Sequence, residues 1–415
     1  MRDILAGFTT RGRSFLAAGA AAAACGLLLG ELGLFQVGLL LFVLPLLSAL
    51  AASRTRYQLT CQRSLSPSRV QADQATIVTV RLQNTPRLRS GLLLAEDGVP
   101  YALGGHPRFV LDGIEGGGGR ELRYRIQSGL RGKYTIGPLQ VCVADAFGMV
   151  EISRSFRSTG TLTVTPKVEP LPGAQFSGAW LGSGDRRART VAAAGDDDVA
   201  PRSYRDGDDL RRVHWRSTAR YGELMVRREE QQWHARAALF LDTRATAHSG
   251  SGIASSFEYA VSAAASIGVR LAREQFDAQL ITDEGPTAAG GAFEDALLDA
   301  LSVARPSRNP ALHPGLSALS ASPGGLVIAV TGYLTDDQAR LLSGACRPPA
   351  SAIAVLLDVM TWSGSRPRRD QAGHGAAGIL AAAGWQVLTV SAGTPLADAW
   401  GQLRRSGPAA VGAAP

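Results

Sequence analysis

The chain has 415 residues, room for two or three domains. Hydrophobic residues make up 45% and charged residues 19%, which suits globular domains with a short membrane segment. The net charge of +8, from 43 basic and 35 acidic residues, fits a membrane surface or an acidic partner. It is too mild to argue for nucleic acid.

Phe15 to Leu29 and Leu32 to Ala52 are apolar runs separated by Gly30, Glu31 and Gly33. The second is long enough to cross ~30 Å of hydrocarbon. Two spans joined by a tight turn predict a helical hairpin over 1–56, with Pro45 inside the second helix. Arg2, Arg11 and Arg13 precede it, and Arg54, Arg56 and Arg63 follow. Basic flanks at both ends predict a two-span membrane protein with its soluble domains in the cytoplasm and Glu31 outside. A signal peptide would share the basic start and apolar core. The second span, however, follows too closely for an exported domain to begin between the two.

From Tyr57 the periodicity changes to two. Ala75–Asn84, Arg120–Gln127 and Thr161–Pro166 read as strands, and Lys133–Phe156 as two strands broken at Asp145–Gly148. Short alternating strands with Gly, Pro and Asp punctuation predict an all-β, sandwich-like domain over 57–167. Gly116–Gly119 reads as a hairpin turn, since no Lys-Ser/Thr follows to make a phosphate cradle. Gly132 and Gly148 suit turns with positive φ, and Phe147 suits a core.

Residues 168–235 read as a linker followed by an arginine- and acid-rich stretch. Its first part is exposed Gly/Pro/Ser-rich chain with a basic patch (Arg186, Arg187, Arg189) and the acids Asp196–Asp198. After it, apolar strands alternate with amphipathic helices over 236–406. The strands are Ala237–Asp242, Ala278–Glu284, Gly325–Gly332, Ala352–Val359 and Trp385–Val390. The helices are Phe257–Glu274, Ala292–Ala304, Asp336–Ala345, Gly375–Gly384 and Pro395–Arg405. This predicts a doubly wound α/β domain, a mostly parallel sheet covered on both faces. Residues 407–415 read as a flexible tail.

The stretch Tyr204–Arg228 crowds arginines among Asp206, Asp208, Asp209 and Glu223, with Tyr204, Trp215 and Tyr221 between them. A solvated face needs no such aromatics, and a nucleic-acid patch would not dilute itself with acids. The pattern predicts a buried or half-buried network of planar Arg–carboxylate forks. Its order Y-R-x-G-D-x-x-R-x-x-H-W-x-x-T-A-R falls on Tyr204, Arg205, Gly207, Asp208, Arg211, His214, Trp215, Thr218, Ala219 and Arg220. This resembles the signature of the bacterial membrane proteins called the domain of unknown function 58 family. Arg131, Gly132, Tyr134, Gly137 and Pro138, followed by Asp145, Phe147 and Gly148, also resemble that family.

The resemblance implies that the C-terminal domain is similar to a von Willebrand factor type A domain. Such domains hold Mg²⁺ through D-x-S-x-S after the first strand. Here that loop reads Asp242, Thr243, Arg244, Ala245, Thr246. A cation at Arg244 repels a divalent ion, so the position reads as degenerate, with Arg244 standing in for the ion as a fixed charge paired to Asp242. Neither a metal nor a cofactor is expected. The resemblance also implies protein partners, a MoxR-type AAA+ ATPase and a transglutaminase-like membrane protein.

Cys25, Cys61, Cys142 and Cys346 lack metal-type or redox-type spacing, and HExxH, P-loop and G-x-S-x-G motifs are absent. His214 reads as a structural histidine within the charged network. The expectation is a non-enzymatic membrane-anchored scaffold or adaptor. Two rival classes are a hydrolase using His214 and the signature carboxylates, and a metal-dependent adhesion-type binder at Asp242.

Overall fold

The computed structural model describes residues 7–54, 59–85, 90, 92–144, 147–172, 202–204, 213, 215–226, 235–290, 292–322, 325–346, 351–363 and 374–403. The chain divides into two compact units, Met1–Thr165 and Pro166–Pro415.

The first unit begins with helices α1 (Thr10–Leu29) and α2 (Leu32–Arg54), both long and apolar enough to cross a membrane. Thr9 caps α1, its Oγ1 accepting from Gly12 N at 3.3 Å, and Gly30 ends it at φ 72°. The buried residues of α1 are Gly12, Gly19 and Gly26, seven apart and so on one face. A Cβ on Gly19 would lie 2.5 Å from Phe42 N, and one on Gly26 2.5 Å from Phe35 N. The two helices therefore meet backbone against backbone. Such close approach at small residues increases the van der Waals contact between two helices.

Ten strands follow: β1 (Leu59–Ser66), β2 (Arg69–Gln71), β3 (Ala75–Asn84), β4 (Leu93–Asp97), β5 (Arg108–Leu111), β6 (Gly119–Gln127), β7 (Gly132–Ile136), β8 (Leu139–Ala144), β9 (Glu151–Phe156) and β10 (Gly160–Thr165). They form sheets of order β1-β3-β6, β2-β10-β7 and β5-β4-β8-β9. One apolar core draws on them all, with Val78, Val80 and Leu82 of β3 pointing inward at period two. Lys133–Phe156 holds three strands rather than two, because Gly137–Pro138 interrupts pairing before the expected break. Strands β1, β2, β4 and β5 were not anticipated.

Two further expectations change here. Phe147 is 61% exposed rather than in the core. Arg63 does not flank the membrane as a free cation: its side chain is 1% exposed, with Nη2 2.5 Å from Asp97 Oδ1. Tyr124 donates to the other oxygen of Asp97 at 2.5 Å, and burial beside that carboxylate pushes the Tyr124 hydroxyl pKa well up.

In the second unit, Leu171 is buried in the α/β core, so the front of the expected exposed linker packs down. Lys167 O accepts from Ser262 Oγ at 2.6 Å, and Glu169 N donates to Ser266 Oγ at 2.9 Å. A lone apolar residue among prolines gives no periodicity to read. The basic patch, the acids Asp196–Asp198 and the tail lie outside the described residues.

The α/β core is a six-stranded sheet of β13 (Arg236–Leu241), β14 (Asp277–Thr282), β15 (Gly285–Ala289), β16 (Leu326–Thr331), β17 (Ser351–Leu357) and β18 (Gln386–Val390). Its order is β15-β14-β13-β16-β17-β18, parallel except for the edge strand β15. Helices α4 (Ser256–Arg273), α5 (Phe293–Val303) and α9 (Leu396–Leu403) cover one face. Helices α6 (His313–Ala321), α7 (Asp336–Ala345) and α8 (His374–Ala382) cover the other. Strand β13 feeds both cores, Leu239 and Leu241 into one and Ala238 and Phe240 into the other. Each expected strand and helix of this region forms; β15 and α6 are additional.

Candidate functional site at the carboxyl ends of the parallel strands

The chain leaves β13 toward β14 on one side and returns to β16 on the other, so strand order reverses at β13. In open α/β sheets the crevice at such a point, outside the strands' carboxyl ends, is where ligands bind. Asp242, Asp283 and Thr331 stand there, one at the end of each of three adjacent strands, and all are buried.

Arg244 fills this crevice. It is 2% exposed, and its guanidinium forks onto Asp242, Nε to Oδ1 at 2.9 Å and Nη2 to Oδ2 at 2.8 Å. Its backbone N also donates to Oδ1 at 3.1 Å. Nη1 and Nη2 reach the carbonyls of Pro310 and Tyr333 at 3.3 and 3.5 Å. The fixed-charge pairing expected of Arg244 is present. Thr246, two residues on, is exposed in a 3₁₀ turn.

Sequence reading missed the surrounding shell. Thr243 donates to Asp283 Oδ1 through its N, at 2.8 Å, and through its hydroxyl. Ser307 N donates to Thr243 O and Ser307 O accepts from Ala245 N, both at 2.7 Å. His248 Nε2 lies 2.8 Å from Asp242 O and Nδ1 3.3 Å from Ser256 Oγ. Burial pushes the His248 pKa down. The neutral ring then donates to the Asp242 carbonyl and accepts from Ser256. A Cβ on Gly332 would lie 1.9 Å from Ala247 O, so only glycine lets the Ala245–Ala247 turn close over the end of β16. The signal that could have found Asp283 is its place: it ends β14 as Asp242 ends β13.

The arrangement does not fit a divalent ion, because both oxygens of Asp242 are held by a buried cation. The same fork fixes the Asp242 carboxylate, which is fully buried and so is not presented to a substrate. Buried Asp283 Oδ2 and Thr331 Oγ1 have no hydrogen-bond partner among the described residues. A concavity of 220 Å³ lined by Arg236, Ala238, Asp277 and Gln279 lies at the amino ends of β13 and β14, away from these groups.

The Tyr204–Arg220 signature is described in part. Strands β11 (Arg202–Ser203) and β12 (Met225–Val226) pair antiparallel, and Tyr204 N donates to Leu224 O at 2.8 Å. Between them lies helix α3 (Trp215–Tyr221), tied by Met225 N to Thr218 Oγ1 at 3.1 Å. Tyr204 and Thr218 are half-buried. Trp215 is 71% exposed, and Arg220 and Tyr221 are also exposed, so these three do not sit in a buried network. Arg205, Gly207, Asp208, Arg211 and His214 lie outside the described residues.

Among solved structures, the chain is similar to a CARDB domain from Pyrococcus furiosus at 13% identity, covering 26% of this chain and 93% of that one, with a TM-score of 0.20. A GH3 β-glucosidase from Bifidobacterium adolescentis shares 12% identity over 30% of this chain and 19% of its own, at 0.18. The MSP family member WR4 from C. elegans shares 11% over 25% and 94%, at 0.16. No curated protein matches the chain. Residues 200–358, which contain both the signature and the Asp242–Arg244 fork, match the family described as protein of unknown function DUF58.

Proposed function

We propose that this protein is a membrane-anchored, cytoplasm-facing scaffold or adaptor, not an enzyme. In this reading a hairpin anchor carries a sandwich-like β domain and a von Willebrand factor type A-like domain that binds partners without a metal ion. The observation that carries it is α3 of the signature, where Trp215 and Tyr221 stand exposed with Arg216 and Arg220 on one short helix. Exposed Trp, Tyr and Arg are the residues that dominate protein–protein contacts, and none of them is engaged in a core here. The sealed crevice at Asp242 supports the same reading, since it removes the usual place for a substrate or ion. With Arg63 in the β-domain core, the cytoplasmic assignment rests on Arg2, Arg11, Arg13, Arg54 and Arg56.

The partner implied by the family resemblance is a MoxR-type AAA+ ATPase, with a transglutaminase-like membrane protein as a second. The test is affinity capture from membranes with and without ATP, read by mass spectrometry, for the natural protein and Trp215→Ala. A AAA+ ATPase enriched by the natural protein, changed by ATP and lost with Trp215→Ala is the expected result. Equal recovery with both proteins removes α3 from the contact. No enriched ATPase removes the partner.

A further inference from the structure

We propose that one end of the β domain's four-stranded sheet rests in the headgroup layer of the lipid bilayer. The proposal stands on the reading of α1 and α2 as membrane spans. Hairpin and β domain lie within one compact unit. The turn between β8 and β9 is bound to the base of the hairpin. Phe8 bridges Val150, Thr9 N donates to Met149 O at 3.0 Å, and Glu151 N donates to Gly7 O at 2.8 Å. Thr9 Oγ1 donates to Gly148 O at 2.7 Å. Met149 and Val150 are buried with Phe8 and Ala49, and Leu16 and Leu44 of the spans pack against them. Leu16 lies six residues into α1, roughly 9 Å along the helix. A Cβ on Gly12 would meet Met149 O at 2.3 Å, so turn and helix touch directly.

The charge-free part of α1 starts at Ser14, and Arg11 and Arg13 are exposed just before it. The β8–β9 turn is therefore held at the depth where chain passes from headgroups to hydrocarbon. Large apolar side chains stand exposed at this end of the sheet: Phe147 in the turn, and Leu92, Leu94 and Val110 beside it. Register places them. Ala144 and Glu151 close the turn, Leu94 lies opposite Cys142 and Val110 opposite Leu94. Two residues farther from the turn on the same face, the pair Glu96–Arg108 takes over, at 3.1 Å. One face that is apolar at its anchored end and charged at its far end matches a surface partly sunk in the interface. Asp112 and Glu151, exposed at the same end, keep it among headgroups rather than acyl chains.

The test uses the full chain in lipid nanodiscs containing quencher lipids, with Cys25, Cys61, Cys142 and Cys346 replaced by Ala. Single cysteines are then labelled with a fluorophore: Cys25 restored, and Val110→Cys, Leu94→Cys, Phe147→Cys and Tyr101→Cys. Cys25 lies in α1 and reports on the span. Tyr101 is 97% exposed beyond the far end of β4 and serves as the water-side control. The expected result is that Cys25, Val110→Cys, Leu94→Cys and Phe147→Cys lose most of their emission while Tyr101→Cys keeps it. Quenching at Cys25 alone overturns the proposal and leaves the spans standing, whether the face meets water or a second copy. Quenching at Tyr101→Cys equal to that at Val110→Cys also overturns it. An unquenched Cys25 removes the spans and the proposal together.

Discussion

Among the described residues each unit buries one arginine–aspartate pair, and the two are built differently. Arg244 and Asp242 are two residues apart and share two parallel hydrogen bonds, with backbone carbonyls at Nη1 and at Nη2. Arg63 and Asp97 are 34 residues apart and share a single hydrogen bond. Among the described residues the Nε and Nη1 of Arg63 have no partner. A local fork is assembled by one loop, and each nitrogen of its guanidinium has a partner. A long-range pair depends on two strands, β1 and β4, from different sheets, and is left partly unsatisfied. Buried pairs of either kind cost desolvation, and only complete hydrogen bonding recovers it.

The largest effect follows from the less satisfied pair. Asp97→Ala strands Arg63 with no carboxylate and removes the acceptor of Tyr124, and a loss of roughly 3–5 kcal/mol is expected. Denaturant unfolding of the full chain in detergent measures it. If Asp97→Ala unfolds like the natural protein, Arg63 finds water and the contrast between the pairs fails.

Next comes Arg244→Ala, which leaves Asp242 buried and uncompensated, while Asp242→Leu with Arg244→Met removes both charges. The single change is expected to cost nearly as much as Asp97→Ala, and the double change much less. The natural protein should gain no melting temperature from Mg²⁺, whereas Arg244→Ser, which opens Asp242, is where a gain would appear. Stabilisation of the natural protein by Mg²⁺ would break the account of Arg244 as a built-in cation.

A smaller effect is set by pH. Burial depresses the pKa of His248 below its ordinary 6.5, so the folded state binds fewer protons than the unfolded state as pH falls through that value. Stability from this residue is complete above pH 6.5 and declines as pH drops below it toward the folded pKa. His248→Gln should flatten this part of the pH–stability curve, measured by thermal melts. The smallest effect on folding is expected at Trp215→Ala, within about 0.5 kcal/mol because the side chain is exposed. A larger loss would return Trp215 to a structural network.

How much was legible follows the same division between local and distant. Apolar runs and period-two or helical spacing are local, so both hairpin helices and the alternating strands and helices from Ala237 onward could be read directly. The Asp242–Arg244 pairing was legible because the two residues share one loop. Arg63–Asp97 was not, since nothing near Arg63 marks a partner on β4, and its place after two long apolar runs gave it the look of a flanking charge. Strand β4 was missed because LLAED carries its core alternation in five residues. Phe147 was misplaced for a related reason: a large aromatic beside Gly148 reads as core, and the anchoring of its turn against α1 depends on contacts more than 130 residues apart.

The glycine spacing in α1 has a consequence for how the hairpin can vary. An α-helix advances 3.6 residues per turn, so a seven-residue interval falls ~20° short of two full turns. Gly12, Gly19 and Gly26 therefore trace a slowly drifting line, and a helix that keeps that line against its neighbour must wrap around it with a left-handed twist. A single inserted residue between Gly19 and Gly26 would swing the outer glycine by about 100° and set a Cβ-bearing residue against the backbone of Phe35. The hairpin is thus phase-locked: its helices tolerate exchange of outward-facing side chains freely, but tolerate changes of length inside α1 only in whole heptads.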